Sequence, residues 1–500
     1  MLFNTTQNNL LTIKRNGAKR ISDILDIPHP PIQHSLPFNH DLQQYLNGKR
    51  LLPDEIPFSK DTIQSHYQHG YIRYGHGMKI TKSGHSCQRC GNGKPSLFAS
   101  YHCARCLQEC TYCRNCIMMG RVSECTPLIS WSGPQPEKVT LNCKLDWEGT
   151  LSKGQQLASG KVVETVQTNT SLLVWAVCGA GKTEVLFKGI ETALSKGKRV
   201  CIATPRTDVV LELSPRLQQV FPDINIATLY GGSEDRSKNS PLTIATTHQL
   251  LRYYRAFDTL IIDEVDAFPY SVDPVLEYAA SQARKEEGST IYLSATPSKK
   301  MQRDAHSDRL PSVIIPARYH RKPLPIPAME WCGNWEKRLK KNRLPGNVLY
   351  WINKYKAANR PIFLFVPNIA FLEQIVAILQ KEHGDLVAGV HAKDKNRKEK
   401  VAGFREGKIT ILVTTTILER GVTVKNVQVG VIGAEDSLFT ESALVQIAGR
   451  AGRNSQHPDG DVRFFHYGRT REMIAAVDQI RRMNYRAEKG GFLNELLFNM

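Results

Sequence analysis

The sequence predicts an α/β protein made of two tandem parallel-sheet lobes behind an N-terminal cysteine-rich, zinc-binding module, and three observations carry that prediction. From about residue 150, short aliphatic or β-branched runs (172–177, 200–203, 260–262, 291–293) each end in a small or polar loop, the pattern of buried parallel strands with crossover helices. A second series of the same kind starts near Pro361, with PIFLFV, ITILVTTT and VQVGVIGA. Eight of the twelve cysteines fall between Cys87 and Cys125, mostly as CxxC pairs, whereas a secreted disulfide framework would spread them over the fold.

Composition fits several domains. At 500 residues, 41% hydrophobic and 23% charged, the chain is ordinary for a globular protein and unlike a disordered tail, a collagen-like repeat or a disulfide mini-scaffold. Its formal net charge of +19 points to a polyanionic partner. The longest apolar stretch, SLLVWAV at residues 171–177, is far short of the roughly 20 residues of a bilayer-spanning helix, and the first twenty residues have no apolar signal core. The expected location is the cytoplasm, with at most a peripheral association with the inner face of its membrane.

In chain order, residues 1–80 are polar and punctuated by proline, and read as a partly ordered extension. Residues 81–130 form the cysteine block, and 131–150 (containing ISWSGPQPEK in part) a linker. Residues 151–310 form the first lobe, 311–480 the second with a basic lead-in, and 481–500 a tail.

The first lobe opens with a nucleotide motif. After the run 172–177, Gly179, Gly181, Lys182 and Thr183 form the core of a phosphate-binding loop: glycines let backbone N–H groups turn toward phosphates, Lys182 reaches the β and γ phosphates, and the Thr183 hydroxyl serves Mg²⁺. The strict GxxxxGK[ST] pattern is broken, because Ala176 stands where its first glycine belongs. About 80 residues downstream, LIIDEVD places Asp263 and Glu264 just past a buried strand, Asp263 to hold Mg²⁺ through water and Glu264 to orient or deprotonate the attacking water. QIAGRAGR offers Arg450 and Arg453 where negative charge develops, an arrangement worth on the order of 10³ to 10⁵ in rate.

In the cysteine block, CQRCG has knuckle form, with Cys87 and Cys90 two residues apart and a glycine that lets the backbone fold around a metal. Cys103 with Cys106 and Cys113 with Cys116 compete on spacing as the second pair. Cys103, Cys106, Cys110 and Cys125 could also form a second site, so one or two Zn²⁺ ions are open. Arg89, Arg105, Arg114 and Arg121 interleave with the thiols, as in a module that presents cations to DNA or docks a partner. Cys178, Cys201 and Cys332 read as small buried hydrophobes. In the lead-in, Arg318, Arg321 and Lys322 accompany Tyr319, Trp331 and Trp335, which suits base stacking or, somewhat better, a solvated linker with core tryptophans.

Seven motifs in one order, from AVCGAGKT through ATPR, TTHQLL, DEVD, SAT and TTTILERGV to QIAGRAGR, resemble the DExD/H-box superfamily of nucleic-acid motors over roughly residues 151–453. The resemblance implies RecA-like lobes and an ATP site comprising Gln155 (or its neighbour Gln156) at the adenine, residues Gly179, Ala180, Gly181, Lys182, Thr183 and Glu184, and Gln446 beside Arg450 and Arg453. It implies that Thr204, Arg206, Thr246, Thr247, Thr414, Thr415 and Thr416 track a nucleic-acid backbone, and that Ser294 and Thr296 couple hydrolysis to lobe movement. Such side chains at loop ends grip phosphates without reading bases.

Within that superfamily, WAVCGAGKTE, IIDEVDAFPYS, FTESALVQIAGRAGR and the N-terminal CxRCG and YCRNCIMMGRVSE segments resemble the ComFA family of competence ATPases over about residues 45–490. That family pattern favours Cys113 and Cys116 as the partners of Cys87 and Cys90. It implies a single-stranded-DNA-dependent ATPase that draws transforming DNA into the cytoplasm, with ComFC, DprA and, indirectly, the membrane DNA channel as partners. A replication-restart or RNA helicase, and an ATP-gated scaffold of the uptake apparatus, are the other readings. Between residues 311 and 500 there are 30 Lys and Arg against 18 Asp and Glu, so +12 of the charge lies in the second lobe and its lead-in.

Overall fold

The computed structural model describes residues 2–5, 10–13, 18–82, 84–137, 143–420 and 424–494. The chain divides into two compact units, one of residues 1–148, 161–172 and 187–292, the other of residues 149–160, 173–186 and 293–500.

The stretch read as an N-terminal extension instead builds a packed layer in the first unit. Helix His40–Leu46 starts where the Asn39 side chain accepts from the Leu42 N–H, and helix Lys60–Gln68 where Ser59 accepts from the Thr62 N–H. Leu42 with Leu46, and Ile63 with Tyr67, fall one helical turn apart and bury one stripe of each helix against Phe3, Leu11, Tyr74 and Ile129. A three-stranded antiparallel sheet, ordered Arg50–Leu51, Pro127–Trp131, Ile72–His76, underlies them. Of the prolines that suggested disorder, Pro53 opens the 3₁₀ helix Pro53–Glu55, while Pro28, Pro30, Pro31 and Pro57 lie in irregular segments where no backbone N–H is needed. The cysteine block is an insertion between the last two strands, made of the hairpins Met78–Thr81/Gly84–Cys87 and Phe98–Cys103/Gln108–Cys113.

Seven parallel strands form the first large sheet: β1 (Ser171–Ala176), β2 (Val200–Thr204), β3 (Ile226–Leu229), β4 (Leu242–Thr246), β5 (Phe257–Ile262), β6 (Arg284–Ser294) and β7 (Ser312–Ile315), in the order β3-β4-β2-β5-β6-β1-β7. Six more form the second: β8 (Ala328–Trp331), β9 (Ile362–Phe365), β10 (Val387–Val390), β11 (Ile411–Thr414), β12 (Gln428–Ile432) and β13 (Val462–His466), in the order β8-β13-β12-β9-β11-β10. Continuous burial of β2, β4, β9, β11 and β12 explains why these read as unbroken aliphatic runs, since helices cover both faces of a parallel sheet. The second sheet closes its core with Trp335, Val348, Trp351, Leu364, Val413 and Phe465. Trp335 is thus a core residue, whereas Trp331 and Tyr319 remain exposed.

The N-terminal layer is fastened to the first sheet inside the first unit. At Gly48 (φ +68°) an added Cβ would lie 2.8 Å from Ala256, so only glycine permits this approach. The Tyr254 N–H donates to the Gly48 carbonyl at 2.9 Å. The Glu55 carboxylate takes Arg89 of the cysteine block at 2.9 Å and Arg252, from the end of TTHQLLR, at 2.8 Å.

Candidate nucleotide site and zinc centres

β1 ends in the phosphate loop because Gly179 (φ +80°) and Gly181 (φ +71°) adopt left-handed backbone that residues with side chains avoid. Helix Lys182–Ser195 follows directly, so the loop amides and the positive end of a helix converge on Gly179, Ala180, Gly181, Lys182, Thr183 and Glu184. The two glutamines separate clearly. Gln155 is buried against the loop, its Nε2 donating to the Gly181 carbonyl at 3.3 Å while its Oε1 accepts from the Ser152 N–H at 2.8 Å. Gln156 is exposed and bonds back to the Leu151 carbonyl.

QIAGRAGR lies in the same unit and touches the loop. The Cys178 thiol donates to Gln446 Oε1 at 3.1 Å, so Cys178 is a bonded side chain as well as a small buried one. Arg450 is buried and donates through Nε to the Glu419 carbonyl at 2.8 Å, and Arg453 Nε donates to the Gly449 carbonyl at 2.8 Å. Thr296 of the SAT motif bonds Ser442 at 2.7 Å, on the helix Glu441–Ala448 that carries Gln446, while its N–H is held by Ser294 Oγ at 2.9 Å.

Arg318 went unassigned to this site in the sequence. β7 pairs with β1 in register Ala176↔Ile315, so the residue three beyond each strand end falls side by side and Arg318 packs against Gly179. The neighbouring Tyr319 N–H donates to the Gly179 carbonyl at 3.1 Å. Arg318 is 1% exposed; one Nη donates to the Gly452 carbonyl, but Nε and the other Nη have no partner among the described residues, and neither has Gln446 Nε2. Burial, and then Arg453, lower the Arg318 guanidinium to about 9. Buried donors of this kind suit phosphate oxygens, which accept several strong hydrogen bonds each.

In the first unit, Asp263 follows β5, its N–H bonded to the Ala203 carbonyl at 2.8 Å, and its Oδ1 accepts from the Glu264 N–H at 2.9 Å. Glu264 holds φ +55°, a left-handed turn that redirects the chain immediately beyond the strand. Thr204, Thr246 and Thr414 close the carboxyl ends of β2, β4 and β11, where open α/β sheets receive ligands. These three and Thr247 are buried, whereas Arg206, Thr415 and Thr416 are partly accessible. Arg206 faces Asp208 at 3.4 Å, and the Thr414 hydroxyl donates to the Val390 carbonyl at 2.8 Å. Gly421 and Val422 of TTTILERGV lie outside the described residues.

The cysteine block resolves into two four-sulfur clusters, Cys87/Cys90/Cys113/Cys116 and Cys103/Cys106/Cys110/Cys125, each with its sulfurs within 4.8 Å of one another. The pairs Cys87–Cys116, Cys90–Cys113 and Cys103–Cys125 stand 3.8, 3.7 and 3.8 Å apart. Tetrahedral Zn–S bonds of about 2.3 Å demand sulfur separations of about 3.8 Å, so both clusters are compatible with zinc. The thiols of each cluster hydrogen-bond one another, so that neighbouring donors lower Cys113 and Cys125 while Cys90, Cys110 and Cys116 are raised, and burial raises Cys106. Bound zinc would supply a structural cross-link.

Of the four arginines expected to face DNA or a partner, packing withdraws Arg89 alone, while Arg105, Arg114 and Arg121 remain exposed. Arg89 is 2% exposed, paired with Glu55 and donating to the Met119 carbonyl at 2.8 Å, because a buried guanidinium needs its charge matched. Arg105 pairs with Asp54 at 2.6 Å, and Arg121 lies 4.6 Å over the Tyr101 ring.

Two parallel-sheet RecA-like lobes bearing this loop and these motifs define a superfamily 2 helicase-like enzyme that hydrolyses ATP. Residues 33–130 match the Competence protein ComFA N-terminal domain, 156–304 the DEAD/DEAH box helicase and 343–455 the Helicase conserved C-terminal domain. The chain is 52% identical over 459 residues to Competence protein ComFA of Bacillus subtilis (strain 168), covering 92% of this chain and 98% of that one. It is 41% identical over 377 residues to Competence protein ComFA of Streptococcus pneumoniae (strain ATCC BAA-255 / R6), covering 75% and 86%. The chain belongs to the ComFA family. A solved structure of the DEAD-box helicase Mss116 bound to ssRNA and UDP-BeF shares the fold at a TM-score of 0.51 and 15% identity, over 70% of this chain and 84% of that one. Among the described residues no helix is long and apolar enough to cross a membrane.

Proposed function

We propose that this competence-related helicase-like ATPase is stimulated by single-stranded DNA and translocates along it, drawing transforming DNA into the cytoplasm. The observation that carries the reading is the contact of QIAGRAGR and the SAT motif with the phosphate loop and its neighbours, through Cys178–Gln446 and Thr296–Ser442. Whatever moves the loop on nucleotide binding is felt on the helix that carries the arginines. In this reading Lys182 and the amides of residues 179–183 hold the β and γ phosphates, and Gln155 the adenine. Thr183 and, through water, Asp263 would hold Mg²⁺, which would neutralise phosphate charge when bound. Glu264 takes the proton of the attacking water, while Gln446, Arg450 and Arg453 meet charge developing on the γ phosphate. The strand-end threonines and Arg206 grip the DNA backbone, and Ser294 with Thr296 transmits hydrolysis to that grip.

The domain scheme proposed is a cysteine module at 81–130 and two lobes. The expected boundary at 310 moves later because β7 (Ser312–Ile315) pairs into the first sheet, and the expected end at 480 moves later because the helix Arg471–Lys489 runs through it. Action is peripheral at the inner face of the membrane, with ComFC and DprA. The deciding experiment is the ATPase rate with single-stranded DNA, duplex DNA or RNA at two salt concentrations. Preferential stimulation by single-stranded DNA that falls steeply with salt is expected; equal stimulation by RNA sinks the assignment. Metal analysis of reduced protein checks the clusters, with about two zinc ions per chain expected, one for each tetrahedral four-thiolate site.

A further inference from the structure

A cleft of about 710 Å³ lies within the first unit, where the N-terminal layer meets the amino ends of the first sheet's strands. Lys49 and Arg73 come to it from the N-terminal layer, and Lys198, Arg199, Arg255 and Lys285 from the sheet. Among the lining residues only Asp258 and Glu137 are acidic; Asp258 is already engaged by Lys285 at 2.8 and 2.9 Å and by the Arg199 N–H at 2.9 Å, and Arg255 pairs with the exposed Glu286 just outside the cleft. No Val, Ile, Leu, Met or Phe lines the cleft, unlike the apolar pockets that enclose small molecules.

Two donors at the cleft are buried and unpartnered among the described residues, Arg199 Nε and Ser240 Oγ. Lys49 is 3% exposed, its ammonium donating to the Arg236 carbonyl at 2.9 Å and lying 4.7 Å over the Tyr45 ring, at the inner edge of the cleft where Tyr45 and Arg236 line an adjoining pocket. Burial, with Arg199 and Arg252 nearby, pushes this ammonium down to about 7. Six cations from two walls against few acids, with unsatisfied donors among them, leave an excess of positive charge that suits a polyanion.

We propose that this cleft binds the phosphate backbone of a single nucleic-acid strand, as a second contact beyond the strand-end threonines. The inference rests on the reading that the chain engages single-stranded nucleic acid. A free mononucleotide fits less well, because the cations are spread over two walls and no glycine loop gathers backbone amides on one phosphate group.

The test uses the full chain, a fluorescent oligothymidine and the exposed cations Arg73 and Arg255, which lie outside the ATP machinery. In Arg73→Glu/Arg255→Glu, affinity should fall at least tenfold and the salt slope lessen by about 1.4, at roughly 0.7 for each lost phosphate contact. ATPase turnover without nucleic acid should stay unchanged, and Arg73→Lys/Arg255→Lys should restore binding. In the parent protein, the oligothymidine should protect Lys198 and Lys285 from an amine-reactive reagent, a readout that stands even if the double variant misfolds. Unchanged affinity in a folded variant, or lysines protected by pyrophosphate but not by the oligothymidine, overturns the strand site while leaving the functional reading intact. Failure of the parent chain to bind any oligonucleotide overturns both.

Discussion

The phosphate loop and the basic cleft are both suited to anions, and by opposite means. The loop follows the carboxyl end of β1 and uses backbone amides fixed by Gly179 and Gly181, with Lys182 as a mobile cation. The cleft precedes the amino ends of β2, β4 and β5 and relies on side chains drawn from distant parts of the sequence. A backbone cradle sets the geometry that phosphoryl transfer demands; a field of side-chain cations attracts charge without positioning one atom.

The largest expected difference is in turnover. Lys182→Ala should lower the DNA-stimulated ATPase rate by roughly 10³-fold with an unchanged circular dichroism spectrum, since a loop cation acts on transferring charge and not on folding. Normal turnover in that variant would dissolve the contrast. Arg318→Met asks whether the loop also needs a buried side-chain cation. The expected result is a loss of about 10²-fold in kcat together with a gain in folding stability of about 1 to 3 kcal/mol, because an underpaired buried charge is replaced by an apolar chain of similar length. A thermal melt alongside steady-state kinetics reads both; loss of stability with kcat intact would make Arg318 purely structural.

The smallest effect belongs to the cleft. The Lys49 ammonium sits near 7 in the folded chain against about 10.5 unfolded, so between those values the unfolded chain binds more protons and stability rises with pH. From pH 7 to pH 9 its contribution should improve by roughly 2 kcal/mol, and the stability advantage of Lys49→Met over the parent should shrink by that amount in urea titrations. A constant gap would place the Lys49 ammonium in ordinary solvent. Turnover without nucleic acid should be the same in both proteins.

Legibility in the sequence follows the same divide. The two sheets were readable because parallel strands buried on both faces are spelled as continuous aliphatic runs, and the loop because glycine, lysine and threonine serve chemistry at fixed spacing. The two groups of four thiols were already given by spacing and family resemblance, and what the hairpin of Phe98–Cys103 with Gln108–Cys113 adds is the geometry that brings each group together. Arg318 looked like one of several linker cations, since its place beside Gly179 comes from the pairing register of β1 and β7 rather than from any local pattern. The N-terminal layer was misread for a similar reason. Its short helices, separated by proline-containing segments, become stable by packing on strands as far away as Pro127–Trp131.

Glu55 pairs with two guanidiniums at once, Arg89 from the cysteine block and Arg252 from a helicase motif. The N-terminal half is therefore no detachable appendage: an excised helicase core beginning near residue 150 would carry Arg252 without its counter-ion and an uncovered face where Gly48 meets Ala256. Domain exchange between relatives would have to move Glu55, Arg89, Arg252 and Gly48 as one set, which makes the N-terminal layer and the first lobe a single unit of inheritance.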